Sequence, residues 1–177
     1  MTQSTSQSVE PRNIILIGMP GVGKSTLGVL LAKALGYDFV DTDLLIQRRA
    51  GKTLATYMQA QGYQALRQLE ARVILDLSCH ATVVATGGSA VHSANAMAHL
   101  ASLGVIVYLR CPTETLVPRI FSMADRGVAA PAGQTLEDVA SERVPLYEGY
   151  ADTTLDIQNL DSNQALTALL RSLSSIA

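Results

Sequence analysis

An α/β fold, a parallel sheet covered by helices on both faces, is predicted by three features of this sequence. Short apolar runs alternate with amphipathic stretches along the whole chain. The runs are continuously apolar, as strands buried on both faces require. Glycine-rich or acidic turns follow the first three runs, at the strand ends where such sheets bind ligands. A length of 177 residues suits one domain with a substantial core.

In order, Asn13–Ile17 (NIILI) is a short apolar run ending in glycines and reads as a buried strand. Lys24–Leu35 carries a leucine face (Leu27, Leu30, Leu31, Leu35) and stops at Gly36, as a helix does. Phe39–Val40 is a second strand, and a helix through Leu44, Leu45 and Ile46 halts at Gly51. Thr53–Gln61 and Gln64–Leu77 are two further helices around Gly62. Thr82–Ala85, β-branched and leading into Gly87-Gly88, is a third strand. His92–Leu103 is helical, and Val105–Leu109 (VIVYL) is a strand by composition. Thr113–Ala124 is expected as a helix bent by Pro118, and Leu136–Tyr150 as a helix disrupted at Pro145. Between them Arg126–Gln134, small and Gly/Pro-containing, reads as a mobile loop. Thr154–Ile157 is a last strand, and Ser162–Ser175 a closing helix whose leucine stripe is core packing.

With hydrophobic residues at 48% and charged residues at 16%, the chain is compact rather than disordered. A net charge of −2 gives no electrostatic reason to expect nucleic acid or an anionic membrane. No apolar run is long enough to span a bilayer, and residues 1–12 lack the apolar core of a signal peptide. They read as a disordered tail before a single domain over 13–177, and the expected setting is cytoplasmic. Cys79 and Cys111 form no disulfide framework, and Cys79-His80 lacks a second pair of metal ligands. His80, His92 and His99 share no catalytic spacing. No interface stripe stands out, so the default expectation is a monomer.

The chemistry concentrates in a few segments. Gly18-Met19-Pro20-Gly21-Val22-Gly23-Lys24-Ser25 is a Walker A phosphate loop with a strand before it and a helix after it. Its glycines let backbone N–H groups curl around an anion, and the helix N-terminus adds a positive dipole end. Lys24 reaches the β- and γ-phosphates and Ser25 is placed to ligand Mg²⁺. Gly18, Gly21, Val22, Gly23, Lys24, Ser25 and Thr26 are therefore the candidate nucleotide-binding residues. Asp41 and Asp43, alternate residues after the second strand, can both face that cradle, one holding a Mg²⁺-bound water and the other orienting a hydroxyl. Either could equally be the N-cap of the following helix. Gly87-Gly88 allows close backbone approach to a ligand, or is simply a tight turn.

Five further pieces fall in order after this loop: GMPGVGKST at 18–26 is followed by DTD at 41–43, GYQALRQLE at 62–70, GGS at 87–89, RGV at 126–128 and RVPLY at 143–147. Over roughly residues 13–157 the chain resembles shikimate kinase, among the nucleoside-monophosphate-kinase-like P-loop proteins. That family shows G-x-x-G-x-G-K-[ST], D-x-D, G-E-x-x-F-R-x-x-E, a glycine triplet, R-P-L and R-x-P-L-Y. The resemblance implies a three-layer P-loop NTPase sandwich of five parallel strands in the order 2-3-1-4-5. Substrate-binding helices would span about 42–77 and a mobile lid about 124–136. It implies an ATP- and Mg²⁺-dependent kinase phosphorylating the 3-hydroxyl of shikimate. Asp43 would face the acceptor hydroxyl and Asp41 would help hold Mg²⁺. Arg67 and Arg143 would grip the acceptor carboxylate, Gly87 and Gly88 would line its ring, Arg126 would be the lid arginine, and Arg119 would lie beside the adenine.

Arginine suits a planar carboxylate because its donors form a fork. Glu70, three residues after Arg67, is placed on a helix to hold that side chain. The alternatives are an i,i+3 ion pair for Arg67 and a solvated pair with Glu142 or Glu148 for Arg143. Tyr147 and Tyr150 are expected to pack the lid half. The chain departs from the family pattern at Met58, Tyr63, Leu66, Ser89, Gly127 and Val128. Gly127 should loosen a hinge that proline would stiffen. All of these lie in the acceptor half, so a kinase for another small hydroxy acid, or a nucleotide-binding module without catalysis, are the alternative readings.

Overall fold

The computed structural model describes residues 12–120 and 127–175. Five parallel strands form one sheet in the order β2-β3-β1-β4-β5: β1 Asn13–Ile17, β2 Asp38–Asp41, β3 Thr82–Ala85, β4 Gly104–Arg110 and β5 Thr153–Asp156. This is the predicted order. In the central register Ile14 lies between Val83 and Val105, and Ile15 between Val84 and Ile106. Every residue of β1 and β3 is buried, which explains why both read as unbroken apolar runs.

Eight helices among the described residues connect the strands: α1 Lys24–Leu35, α2 Thr42–Ala50, α3 Leu54–Gln61, α4 Tyr63–Leu75, α5 Ala94–Leu103, α6 Thr113–Leu116, α7 Leu136–Tyr150 and α8 Ser162–Ser174. They cover both sides of the sheet, with α1 packed on α8 and α4 on α5. Local chemistry sets their ends. Gly36 and Gly51 close α1 and α2 in the left-handed conformation. Thr135 and Asp138 form a capping box at the start of α7, and Asp161 and Gln164 another at α8. A second, smaller core of Ile46, Leu66, Leu69, Val73 and Ala129 lies apart from the main one, with Met58, Tyr57 and Tyr63 packed against it. It ties α2, α3 and α4 to the segment that follows residue 126.

Three expectations are corrected. The helix expected over 113–124 ends at Leu116; Val117–Arg119 is a 3-10 turn and Ile120 is extended. Pro118 sits where the tighter turn begins, so it terminates the helix instead of bending it. Pro145 does not disrupt α7, which continues to Tyr150. His92 belongs to a 3-10 turn over Ala90–His92, and α5 starts behind Ser93, whose Oγ accepts the Ala96 N–H. The expected tail and the first residues of the lid, Arg126 included, lie outside the described residues. Within the loop, Val128, Ala129 and Ala130 are buried, and residues 131–134 are partly or fully exposed. Gly127 has φ +69°, and a Cβ there would stand 2.6 Å from Leu54 Cβ and 2.8 Å from the Ala55 nitrogen. The position expected as a loosened hinge is therefore wedged against the start of α3.

Candidate active site

The phosphate loop owes its shape to its glycines. Gly18, Gly21 and Gly23 all have positive φ, and a Cβ at Gly18 would meet the Leu109 carbonyl oxygen at 2.7 Å. The loop is thus pressed against β4 at its first residue. Gly23 precedes α1 without any side-chain cap, so the first N–H groups of the helix are left to a ligand. Lys24 is buried, and its Nζ donates to the carbonyls of Gly18 at 2.8 Å and Met19 at 3.0 Å. Val22 points its side chain into the main core and has only its backbone on the loop.

One cleft at the carboxyl ends of the strands gathers most of the predicted site. Of the residues expected to bind nucleotide, Gly21, Gly23, Lys24, Ser25, Thr26 and Arg119 line it, and of those expected to bind the acceptor, Asp43, Gly87, Gly88 and Arg143 do; Gly18, Val22, Asp41 and Arg67 are not among its lining residues. Glu70, Ser89, Leu54, Val128 and Ala129 complete the wall. Asp41 Oδ1 accepts the Asp43 N–H at 2.9 Å, so Asp41 is the N-cap of α2. The cap turns the chain so that Asp43 enters the cleft.

Paired glycines at 87–88 follow from crowding. A Cβ at Gly87 would collide with Glu70 Oε1 and stand 2.8 Å from Asp43 Oδ1; one at Gly88 would stand 3.1 Å from Arg143 Nη1. The turn is held by Thr42 Oγ1, which accepts the Gly87 N–H at 2.9 Å, and by Tyr147, whose hydroxyl donates to the Gly88 carbonyl at 2.6 Å. Tyr147 was expected only to pack. It is four residues after Arg143 and so on the same face of α7, a spacing that could have marked it.

Arg143 is 1% exposed, which excludes the solvated ion pair. Glu148 lies 3.9 Å from Arg110, and Glu142 turns to Arg67 at 3.5 Å. Arg67 Nε and Arg143 Nη2 both donate to the Ala129 carbonyl, at 3.0 and 2.7 Å, so the two predicted arginines do converge. Arg67 Nη2 and Arg143 Nε are buried and have no partner among the described residues. Burial first, and then Arg143, push the Arg67 pKa down. His92, missed in the sequence because it has no motif around it, sits with Nδ1 3.6 Å from Glu142. Burial, then Arg67 and Arg143, lower its pKa to about 4, so it is neutral at pH 7.

Glu70 does not hold Arg67. Its Oε2 accepts a hydrogen bond from Ser89 Oγ, and the arginine instead reaches Ala129, Glu142 and the face of Tyr63, 5.2 Å from the ring centroid. The Glu70 carboxyl is fully buried; desolvation, then the Asp43 charge, raise its pKa to about 7.

The residues present fit ATP and Mg²⁺. No group of three or more acidic, His or Cys side chains able to hold a metal occurs among the described residues. Mg²⁺ on a nucleotide needs none, since it takes one or two protein oxygens and completes its shell with phosphates and water. Ser25 lines the cleft; Asp41, the other predicted metal residue, is not among the lining residues and places its Oδ1 on the Asp43 N–H.

Residues 20–174 match the family model described as shikimate kinase. A shikimate kinase of Methylococcus capsulatus is 36% identical over 162 residues, covering 90% of each chain. One from Colwellia psychrerythraea is 42% identical over 151 residues, 81% of this chain and 86% of that one. The solved structure of shikimate kinase from Acinetobacter baumannii in complex with shikimate superposes with a TM-score of 0.83 at 32% identity, covering 93% of each chain. With the cleft, the sheet order and the sequence in agreement, the chain belongs to the shikimate kinase family.

Proposed function

We propose that this chain transfers the γ-phosphoryl group of ATP to the 3-hydroxyl of shikimate, with the donor and acceptor halves of one cleft divided as described above. The observation that carries the reading is the pair of guanidiniums, Arg67 and Arg143, brought together on one oxygen, with Arg143 lining the same cleft as the phosphate loop. Two forks with buried, unpartnered N–H groups are the chemistry that receives a carboxylate.

In the transfer, a bond forms between the acceptor oxygen and the γ-phosphorus while the bond from that phosphorus to the β,γ-bridging oxygen breaks, releasing ADP. Asp43 orients the attacking hydroxyl and takes its proton. The N–H groups of Gly21, Val22, Gly23, Lys24, Ser25 and Thr26 and the Lys24 ammonium stabilise charge on the phosphates. Mg²⁺, which Ser25 and Asp41 would hold, neutralises β- and γ-phosphate charge when bound. Arg119 borders the donor half on the adenine side. Arg126 approaches the transferring phosphoryl group from the lid, whose closure over about 124–136 excludes water that would hydrolyse ATP. Among the described residues no helix is long and apolar enough to cross a membrane, and the setting proposed is the cytoplasm, with the chain acting as a monomer.

A coupled assay of ADP release tests this reading. Saturable release with shikimate is the expected result. Release only with another hydroxy acid would move the acceptor elsewhere in the same chemistry, and none with any acceptor would leave a nucleotide-binding module.

A further inference from the structure

Ser89 stands where the family pattern has a third glycine, and it brings a hydroxyl into the acceptor half of the cleft. Glu70 is 3% exposed and lines that cleft. One of its oxygens, Oε2, takes the Ser89 hydrogen bond. The other, Oε1, is buried without a hydrogen-bond partner among the described residues. It lies against Gly87, on the side where Asp43 Oδ1 also approaches. A carboxylate with one oxygen satisfied and one left over, beside the residue that meets the reacting hydroxyl, is an acceptor held ready for a donor from a ligand.

We propose that Ser89 is a positioning residue for the acceptor. Its hydroxyl pins Glu70 through Oε2, so that Oε1 receives a second hydroxyl of the substrate, next to the one that Asp43 orients. The inference rests on the shikimate reading above, since it requires an acceptor with more than one hydroxyl. A glycine at 89 offers no side-chain donor, and Glu70 would then be free to rotate toward Asp43 or the arginines. The groups facing Glu70 are Asp43 from α2, Lys24 from α1, Arg143 and Tyr147 from α7, and Ser89 from the turn after β3. Of these, Ser89, Arg143 and Lys24 favour the charged carboxylate and Asp43 opposes it. Removing the Ser89 donor therefore moves the Glu70 titration to higher pH.

Ser89→Ala, Ser89→Gly and Ser89→Thr are compared with the parent enzyme in the ADP-release assay, varying shikimate at saturating ATP across pH 6–9. Losing one hydrogen bond to a charged group should raise the shikimate KM about tenfold. The ATP KM should change little, and the acidic limb of kcat/KM should move to higher pH. Ser89→Thr, which keeps the hydroxyl, should restore both. An unchanged shikimate KM in Ser89→Ala and Ser89→Gly overturns the proposal. So does a raised KM that threonine fails to rescue, which marks a packing role. A readout independent of turnover separates this from the functional reading. Carboxyl ¹³C NMR on glutamate-labelled protein, with Glu70→Gln to assign the signal, follows the Glu70 midpoint directly. A higher midpoint in Ser89→Ala supports the coupling even if shikimate is not the acceptor, and an unmoved midpoint overturns it.

Discussion

Arg67, Glu70 and Arg143, proposed above to serve the acceptor, are each defined by a contact made far along the chain. Their residue types were legible in R-x-x-E and R-x-P-L-Y, but their partners were not. Glu70 binds Ser89 from across the sheet edge, and the arginines meet at a main-chain oxygen, which no residue letter encodes. Arg126 has its role from sequence alone. Arg126→Ala is expected to cut turnover by two orders of magnitude or more while the ATP dissociation constant changes little, by analogy with removing a cation that stabilises the transferring phosphoryl group (about 10³–10⁵ in related enzymes). Steady-state kinetics beside nucleotide titration check this; turnover surviving within about twofold of the parent would remove the lid role.

Glu70 also sets a pH dependence. Its pKa rises from 4.5 to about 7 on folding, so between those values the folded chain holds a proton that the unfolded chain has released. The stability it contributes is full below about 4.5 and is lost as pH rises through 7, a swing on the order of 3 kcal/mol. His92 acts in the opposite sense. Lowered from 6.5 to about 4, it contributes stability that is lost as pH falls from 6.5 toward 4. Glu70→Gln has no charge to bury, so its melting temperature should gain on the parent more at pH 8 than at pH 4.5. Thermal melts at the two pH values read the difference, and His92 cancels because both proteins carry it.

Elements with local signals were read well and those ended by packing were not. Gly36 and Gly51 closed helices where the sequence placed them, because a left-handed cap depends on one residue. The helix after Cys111 was read too long because nothing in its periodicity shows Pro118 beginning a tighter turn. The burial of the segment from Gly127 to Ala130 was not legible, since small residues look the same in an exposed loop and in a packed one. Its left-handed φ and its contact with α3 lead to a definite expectation. Gly127→Ala should destabilise the chain by roughly 1–2 kcal/mol for the backbone strain alone, with more from the clash on Leu54. Gly127→Pro, which restores the family residue, should be worse, because proline fixes φ near −65°. Denaturant melts give the order, and the shikimate KM should rise in both.

At the scale of the molecule, the sheet order gathers residues from several separate segments at the carboxyl ends of the strands. In the proposed division the donor groups come from the turn after β1, the start of α1 and the 3-10 turn at Arg119, and the acceptor groups from α2, α4, α7 and the turn after β3. Two halves built from separate elements should respond separately. Lys24→Met should abolish the stabilisation given by a non-hydrolysable ATP analogue and leave that given by shikimate. Each ligand at a hundredfold excess over its Kd should raise the parent's melting temperature by about 5 °C or more. Differential scanning fluorimetry with each ligand alone checks this, and joint loss of both shifts would show that the halves fold as one.

The Ala129 carbonyl lies between Arg67 and Arg143, and a peptide oxygen is the same in every amino acid. Substituting residue 129 alters the side chain packed against Leu66 and Leu69 yet leaves that oxygen in place. A side-chain substitution at residue 129 therefore leaves the acceptor in place, and the contact can be removed by side-chain changes only from its donor side, at Arg67 or Arg143. The acceptor side of the arginine pair is set by the course of the main chain, which an insertion or a deletion moves and a substitution at 129 does not.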